Sequence, residues 1–159
     1  MTLNQTLKDK VGVRFSILLL VAFVQAANYY FYDAISPLKR TLETEFGFSS
    51  SDFGLFVSFY SVPNTFLLMA IVGGVILDKL GIRRTGSLFV GMMTIGGFIT
   101  AYGASTIYTS GGPMYGLMNS FMPQYSPELK MMLLGRFFYG LGAETSIVVI
   151  SKIIVKWFK

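Results

Sequence analysis

Gly74-Val75-Ile76-Leu77-Asp78-Lys79-Leu80-Gly81-Ile82-Arg83-Arg84 is the stretch that decides the fold of this chain. It sets Asp78, Lys79, Arg83 and Arg84, with the glycines Gly74 and Gly81, between two long apolar runs. A membrane hairpin needs small residues where its helices pack closely, and a charged turn that cannot be drawn through the bilayer. The block supplies both, so it reads as the turn of such a hairpin.

Composition agrees. Hydrophobic residues make up 53% of the 159 residues and charged residues 13%, about half of the ~25% usual in soluble domains. The chain has no cysteine and no histidine. Disulfides, Cys or His nucleophiles, imidazole relays and Cys/His zinc sites are therefore excluded. The net charge of +5 does not point to nucleic acid, because the charges cluster at the ends of apolar runs rather than on a polar face.

Spanning a bilayer takes about 20 apolar residues. Four stretches reach that length, at about 15–38, 53–77, 85–108 and 131–155. All four read as helices, since isolated strands leave backbone groups unpaired in lipid. The expected fold is an all-α polytopic membrane protein, with residues 1–14 as a cytoplasmic N-terminus and 15–159 as one helical bundle. Lys8, Lys10, Arg14, Lys79, Arg83, Arg84, Lys152, Lys156 and Lys159 fall on one side, against Lys39, Arg40 and Lys130 on the other. The positive-inside rule then puts both termini in the cytoplasm. A cleaved signal peptide is the competing reading of the first span, but the apolar run continues to Leu38, too long for a signal core. Ser105–Leu129, broken by Gly111, Gly112, Pro113, Pro123 and Pro127, reads as an external loop.

A charge within hydrocarbon costs about 3 kcal/mol or more, so each one calls for a partner or a wet cavity. Asp33 and Arg136 each lie about five residues from the outer ends of their spans. At 1.5 Å per residue both sit roughly 8 Å deep, which predicts an ion pair. Such a pair is either a fixed lock between helices or a gate. Glu144 lies two turns deeper with no cation at its level; it can carry a proton or bind a cationic group such as an amine. Gln25, Asn28, Tyr29, Tyr32 and Ser36 recur at three- and four-residue spacing along the first span. Tyr60, Ser61, Asn64 and Thr65 surround Pro63, which frees a carbonyl and can kink the second span. Together with Tyr139, these residues form the candidate wall of an aqueous cavity. Gly86, Gly91, Gly96, Gly97 and Ala101 on the third span read as close-packing positions.

The quoted block has the spacing G-x3-D-[RK]-x-G-x-[RK]-[RK] and resembles the loop between helices two and three of the major facilitator superfamily of transporters. Arg136-Phe137-Phe138-Tyr139-Gly140-Leu141-Gly142 is similar to the R-x3-G-x-G pattern of that family's helix four. Asn28–Leu38 with Glu43-Thr44-Glu45-Phe46 and Ser49-Ser50 is similar to its helix one and following loop. The resemblance implies alternating access between two six-helix bundles, with cargo bound near the midplane. It implies that Gly74, Asp78, Lys79, Gly81, Arg83 and Arg84 form a conformational latch against the second bundle; Lys79 stands where the family more often has arginine. A closer similarity runs through Tyr29-x2-Tyr32-Asp33, Tyr60-Ser61-Val62-Pro63-Asn64 and Gly142-Ala143-Glu144-Thr145 to a dipeptide-carrying branch. By that similarity Glu144 holds an amino group, with Arg136 one candidate for the carboxylate.

The family has twelve helices and this chain four, so it is expected to be part of a longer chain. Its expected partners are the lipid bilayer, a small-molecule substrate and a second bundle of the same protein, with protons an open alternative, no nucleic acid and no cofactor. A bacterial inner membrane is the expected location. Sugars, organic anions and drugs remain open as cargo. The competing classes are a small dimeric four-helix proton-coupled exporter and a non-transporting membrane scaffold. Catalysis is not expected, because no nucleophile–base pair or metal cluster is visible in the sequence.

Overall fold

A computed structural model of the chain describes residues 7 and 10–158; Lys8 and Lys159, counted above for orientation, lie outside them. In chain order the elements are α1 (Val11–Asp33), a 3-10 turn at Ser36–Leu38, α2 (Lys39–Phe46), α3 (Ser50–Ser58), a 3-10 turn at Phe59–Ser61, α4 (Val62–Leu67), α5 (Met69–Gly103), α6 (Thr106–Thr109), α7 (Tyr115–Ser120) and α8 (Pro127–Trp157). Among the described residues every regular element is helical.

α8 is the mast of the structure. Its start is specified locally: Ser126 is extended, its hydroxyl accepts from the Leu129 N–H at 3.1 Å, and Pro127 takes the first helical position, where no N–H is needed. Glu128 in the first turn and Lys156 in the last suit the helix dipole. The helix carries Gly135, Gly140 and Gly142 on buried faces, and each admits a neighbouring backbone. A side chain at Gly140 would collide with the Tyr60 carbonyl, and one at Gly142 with the Phe89 carbonyl.

α5 is two helices in one run. Gly81 has φ 77° and ψ 167°, a conformation open to glycine and strained for other residues. Before it, Gly73 packs on Thr145, Gly74 on Val148, and Asp78 pairs with Lys152, so the chain runs parallel to α8. After it, Gly86 meets Val149, Gly96 meets Gly135 and Tyr139, and Gly103 meets Met132, so the direction is reversed. The charged block is therefore a hairpin turn, as read from the sequence.

The second expected span is not one helix. Pro63 cannot donate to the Phe59 carbonyl; the Val62 N–H takes that carbonyl instead and tightens Phe59–Ser61 into a 3-10 turn. A second break follows at Leu68, left-handed at φ 49°. Among the described residues, three helical stretches are by themselves long and apolar enough to cross a membrane: Val11–Phe46, Met69–Gly103 and Pro127–Trp157. Other boundaries shift as well. α1 starts at Val11 and ends at Asp33, α5 ends at Gly103, and the 105–129 loop contains α6 and α7.

α1 rests lightly on the rest. Val21 is its one buried residue, and Phe15, Leu19, Phe23 and Tyr30 are exposed, as suits a helix facing lipid or further protein. At the hairpin end Arg14 lies over the Phe158 ring, whose edge meets Phe15. The start of α1, the Gly81 turn and the end of α8 thus share one end of the bundle. At the opposite end, Gly47 at φ 67° lets the chain turn from α2, and Ser49 and Asp52 form a reciprocal capping box for α3. There Ile35, Leu42, Phe48, Phe56, Leu129, Met132 and Leu133 form one apolar cluster.

Candidate functional site

The break at Pro63 builds the site. In the 3-10 turn the Tyr60 backbone presses against Gly140, and its ring stacks toward Tyr32 with centroids 4.5 Å apart. Asn28, Tyr29 and Tyr32 come from one face of α1; Tyr139, Ala143 and Ile147 recur every four residues on α8, with Glu144 beside them. These eight residues line one cleft. Tyr139 crosses it, its hydroxyl donating to the Asn28 backbone carbonyl at 2.8 Å and lying against the Asn28 amide oxygen as well. Of the residues expected in the cavity, Asn28, Tyr29, Tyr32, Tyr60, Tyr139 and Glu144 meet here. Ala143 and Ile147 were not anticipated, although their four-residue spacing from Tyr139 was legible.

Glu144 is the one carboxylate in the cleft, and Tyr29, Tyr32, Tyr60 and Tyr139 line it too. Phenol hydroxyls can donate to a carboxylate and present aromatic faces to a cation, so the arrangement suits an ammonium group. The cleft encloses only about 20 Å³, room for about one water, against roughly 300–1,000 Å³ for complete small-molecule pockets.

Arg136 behaves differently from expectation. It forms no ion pair with Asp33; among the described residues the ion pairs are Lys39–Glu43 and Asp78–Lys152. The depth argument fails because α1 ends at Asp33, which leaves that carboxylate exposed at a helix terminus. Arg136 is instead 1% exposed. Its Nε donates to the Phe56 carbonyl at 3.4 Å, and its guanidinium carbon lies 5.2–5.9 Å from the ring centres of Phe56, Tyr32 and Tyr139. Nη1 and Nη2 are buried with no partner. Three aromatic faces, each worth about 2 kcal/mol to a desolvated cation, offset much of the several kcal/mol that burying an ion costs. Arg136 is thus a buried cation enclosed by aromatic faces, and two of them, Tyr32 and Tyr139, also line the cleft.

Asn64 does not line the cleft. Its Oδ1 accepts from the Ala70 N–H at 3.2 Å, capping the amide exposed by the Leu68 break. Gln25 lies on α1 outside the cleft, half-buried, with Oε1 enclosed and unpartnered.

The latch candidates lie together at the hairpin end. Gly74 passes close to Val148, Gly81 makes the turn, and Lys79, Arg83 and Arg84 are exposed. Asp78 forms an ion pair with Lys152 of α8. That partner was missed, although both residues belong to the same end of their spans.

Comparison with known proteins follows the same lines. The family described as Major Facilitator Superfamily matches over residues 18–159. The lysosomal dipeptide transporter MFSD1 of Mus musculus is 29% identical over 152 residues, covering 95% of this chain and 28% of the relative. The Homo sapiens protein of that name is 28% identical with the same coverage. The Bos taurus protein is 29% identical over 147 residues, 92% of this chain and 27% of its own length. The chain thus spans little more than a quarter of these relatives. No solved structure gives a significant match.

Proposed function

Because the chain belongs to the major facilitator superfamily, we propose that it forms the first four membrane passes of a secondary carrier that moves a small amine-bearing solute, dipeptides first, by alternating access. The observation that carries this reading is the cleft itself: a single carboxylate, Glu144, sharing its lining with four tyrosines at a helix break. Glu144 takes the ammonium group of the cargo, and the facing wall comes from a second bundle. The four passes are α1, the broken α3–α4 run continuing to Leu80, the arm from Ile82 to Gly103, and α8. Both ends of the chain lie on the cytoplasmic side, where Gly74, Asp78, Lys79, Gly81, Arg83 and Arg84 act as the latch.

Dipeptides enter through the relatives, whose printed name is that of dipeptide transporters. That name places the relatives in lysosomes, and the inner-membrane location expected from the sequence gains no support from it. Arg136 favours a second reading, an anionic cargo whose carboxylate reaches Nη1 and Nη2 when Tyr32 and Tyr139 swing aside.

Thermal shift of the purified carrier against dipeptides, amino acids, sugars and organic anions tests both readings. A ligand at 100 times its Kd stabilises the native state by about 2.7 kcal/mol, so even weak cargo registers. A dipeptide shift that Glu144→Gln abolishes is the expected result. A response confined to anions, lost in Arg136→Gln and kept in Glu144→Gln, replaces the first reading with the second. No response to amine-bearing ligands removes Glu144 from the site.

A further inference from the structure

The loop between α5 and α8 reverses the usual order of a water-facing surface. Residues 105–127 contain no charged side chain. The nearest cation, Lys130, is only 7% exposed, while Ile107 and Leu117 are 67% and 60% exposed and Phe121 and Met122 stand open beside them. A loop in water displays its charge and hides its apolar side chains. This one does the opposite.

The display is built into the fold. Tyr108 is fully buried with Met118 and Met131 beneath the loop, and its hydroxyl donates to the Pro127 carbonyl at 3.1 Å. The Tyr102 hydroxyl donates to the Pro113 carbonyl at 3.1 Å. Lys130 Nζ donates to the Phe121 carbonyl at 2.6 Å and the Met122 carbonyl at 3.3 Å, and it lies over the Phe121 ring. Met114 and Met122 are held left-handed, at φ 69° and 48°, a conformation that residues with side chains keep only where surrounding contacts impose it. These ties keep the exposed side chains from folding inward.

The same lysine fixes the depth of the loop. Lys152 lies level with the Gly81 hairpin through its pair with Asp78. From Lys152 back to Lys130 is 22 residues of continuous α8, about 33 Å of helix, against a hydrocarbon core of about 30 Å. With one end of α8 at one face of the membrane, Lys130 reaches the other. Its hydrogen bonds carry Phe121 and Met122 to that level.

We propose that this loop is seated in the headgroup–acyl boundary of the bilayer, with Ile107, Leu117, Phe121 and Met122 as its lipid contacts. It is an interfacial anchor at the end of the bundle opposite the hairpin, and it fixes α5 and α8 in depth. The source of contact is lipid; a further segment of protein covering the loop is the competing outcome of the test.

These 159 residues hold no cysteine, so in the carrier with any cysteine elsewhere replaced by serine an environment-sensitive fluorophore can be placed singly by Leu117→Cys or Met122→Cys, with Glu45→Cys on exposed α2 as the aqueous reference. The protein in lipid nanodiscs is then quenched by lipids spin-labelled near the headgroup and, separately, by aqueous iodide. Labels at 117 and 122 are expected to be quenched severalfold more by the lipid nitroxide than the label at 45, and severalfold less by iodide. Iodide access equal to that at 45 places the loop in water and overturns the proposal. Protection from both quenchers shows that protein covers the loop, and overturns it equally. The two labelled positions give independent readings.

Discussion

Gly96→Ala is the sharpest test of how α8 holds the bundle together. A Cβ built at Gly96 lies 2.6 Å from the Gly135 carbonyl oxygen and 2.9 Å from the Tyr139 Cα, both backbone atoms that no rotamer change can clear. Restoring ordinary contact near 3.4 Å requires the two helices to separate by nearly 1 Å. A gap of 0.5–1 Å forfeits about a quarter to a half of the dispersion energy of each contact along the seam, and overpacking of this kind costs about 1–3 kcal/mol. Alanine also returns about 0.5–1 kcal/mol of helix preference. Gly91, on the same arm, isolates that second contribution, since a Cβ there meets nothing within 4 Å. Gly91→Ala should therefore be neutral or stabilising by about 0.5–1 kcal/mol, and Gly96→Ala should be less stable than it by about 1–3 kcal/mol. Equilibrium unfolding in mixed detergent micelles, titrating SDS, reads both on one scale. Equal stability of the two variants, within about 0.5 kcal/mol, would refute the backbone-to-backbone contact between α5 and α8.

Asn64→Ala should destabilise the same protein by about 0.5–2 kcal/mol, the usual cost of losing a cap, while Asn64→Ser, which keeps an uncharged acceptor, should lose less; an effect on cargo binding without one on stability would return Asn64 to the cavity. Asp78 and Lys152 are substantially exposed, so Asp78→Asn should cost less than about 1 kcal/mol of stability yet slow transport in proteoliposomes, and unchanged transport would remove Asp78 from the latch. Burial, and then the nearby Glu128 carboxylate, push the Tyr108 phenol up to about 12. The fold therefore favours the neutral phenol: its contribution is complete below the free value of 10.0 and is lost as pH rises through about 12. Ultraviolet difference titration of wild type against Tyr108→Phe should show one tyrosine ionising late, and a difference signal near pH 10 would contradict the buried placement.

The hairpin was legible because its cause is local: Gly81 and its flanking charges specify a turn whatever packs around them. The tyrosine cleft was legible in part, since Asn28, Tyr29 and Tyr32 share a helix face by spacing alone. Asp33–Arg136 was misread because depth along the membrane normal says nothing of rotation about each axis, and because a helix ending at Asp33 rather than Leu38 moves that carboxylate to the surface. Asn64 looked like a cavity residue until the break at Leu68 showed which amide needed it; a left-handed leucine leaves no mark in a sequence. Asp78 and Lys152 stand 74 residues apart, and only the direction of two helices brings them together.

The reliance of every other element on α8 has a consequence for biosynthesis. The helix that receives the Tyr60 carbonyl, seats Gly73 and Gly96 and pairs with Asp78 leaves the ribosome after all of these partners. Between Gly103 and Trp157 lie 54 residues, roughly 3–10 s of translation at 5–20 residues per second. Through that interval the kinked second pass sits in the membrane beside a translocon, with its left-handed leucine and its tyrosine carbonyl turned toward a neighbour that does not yet exist. A lipid-embedded chaperone that shelters such a half-made hairpin would find its substrate in that window, and slow codons placed between α5 and α8 would lengthen it.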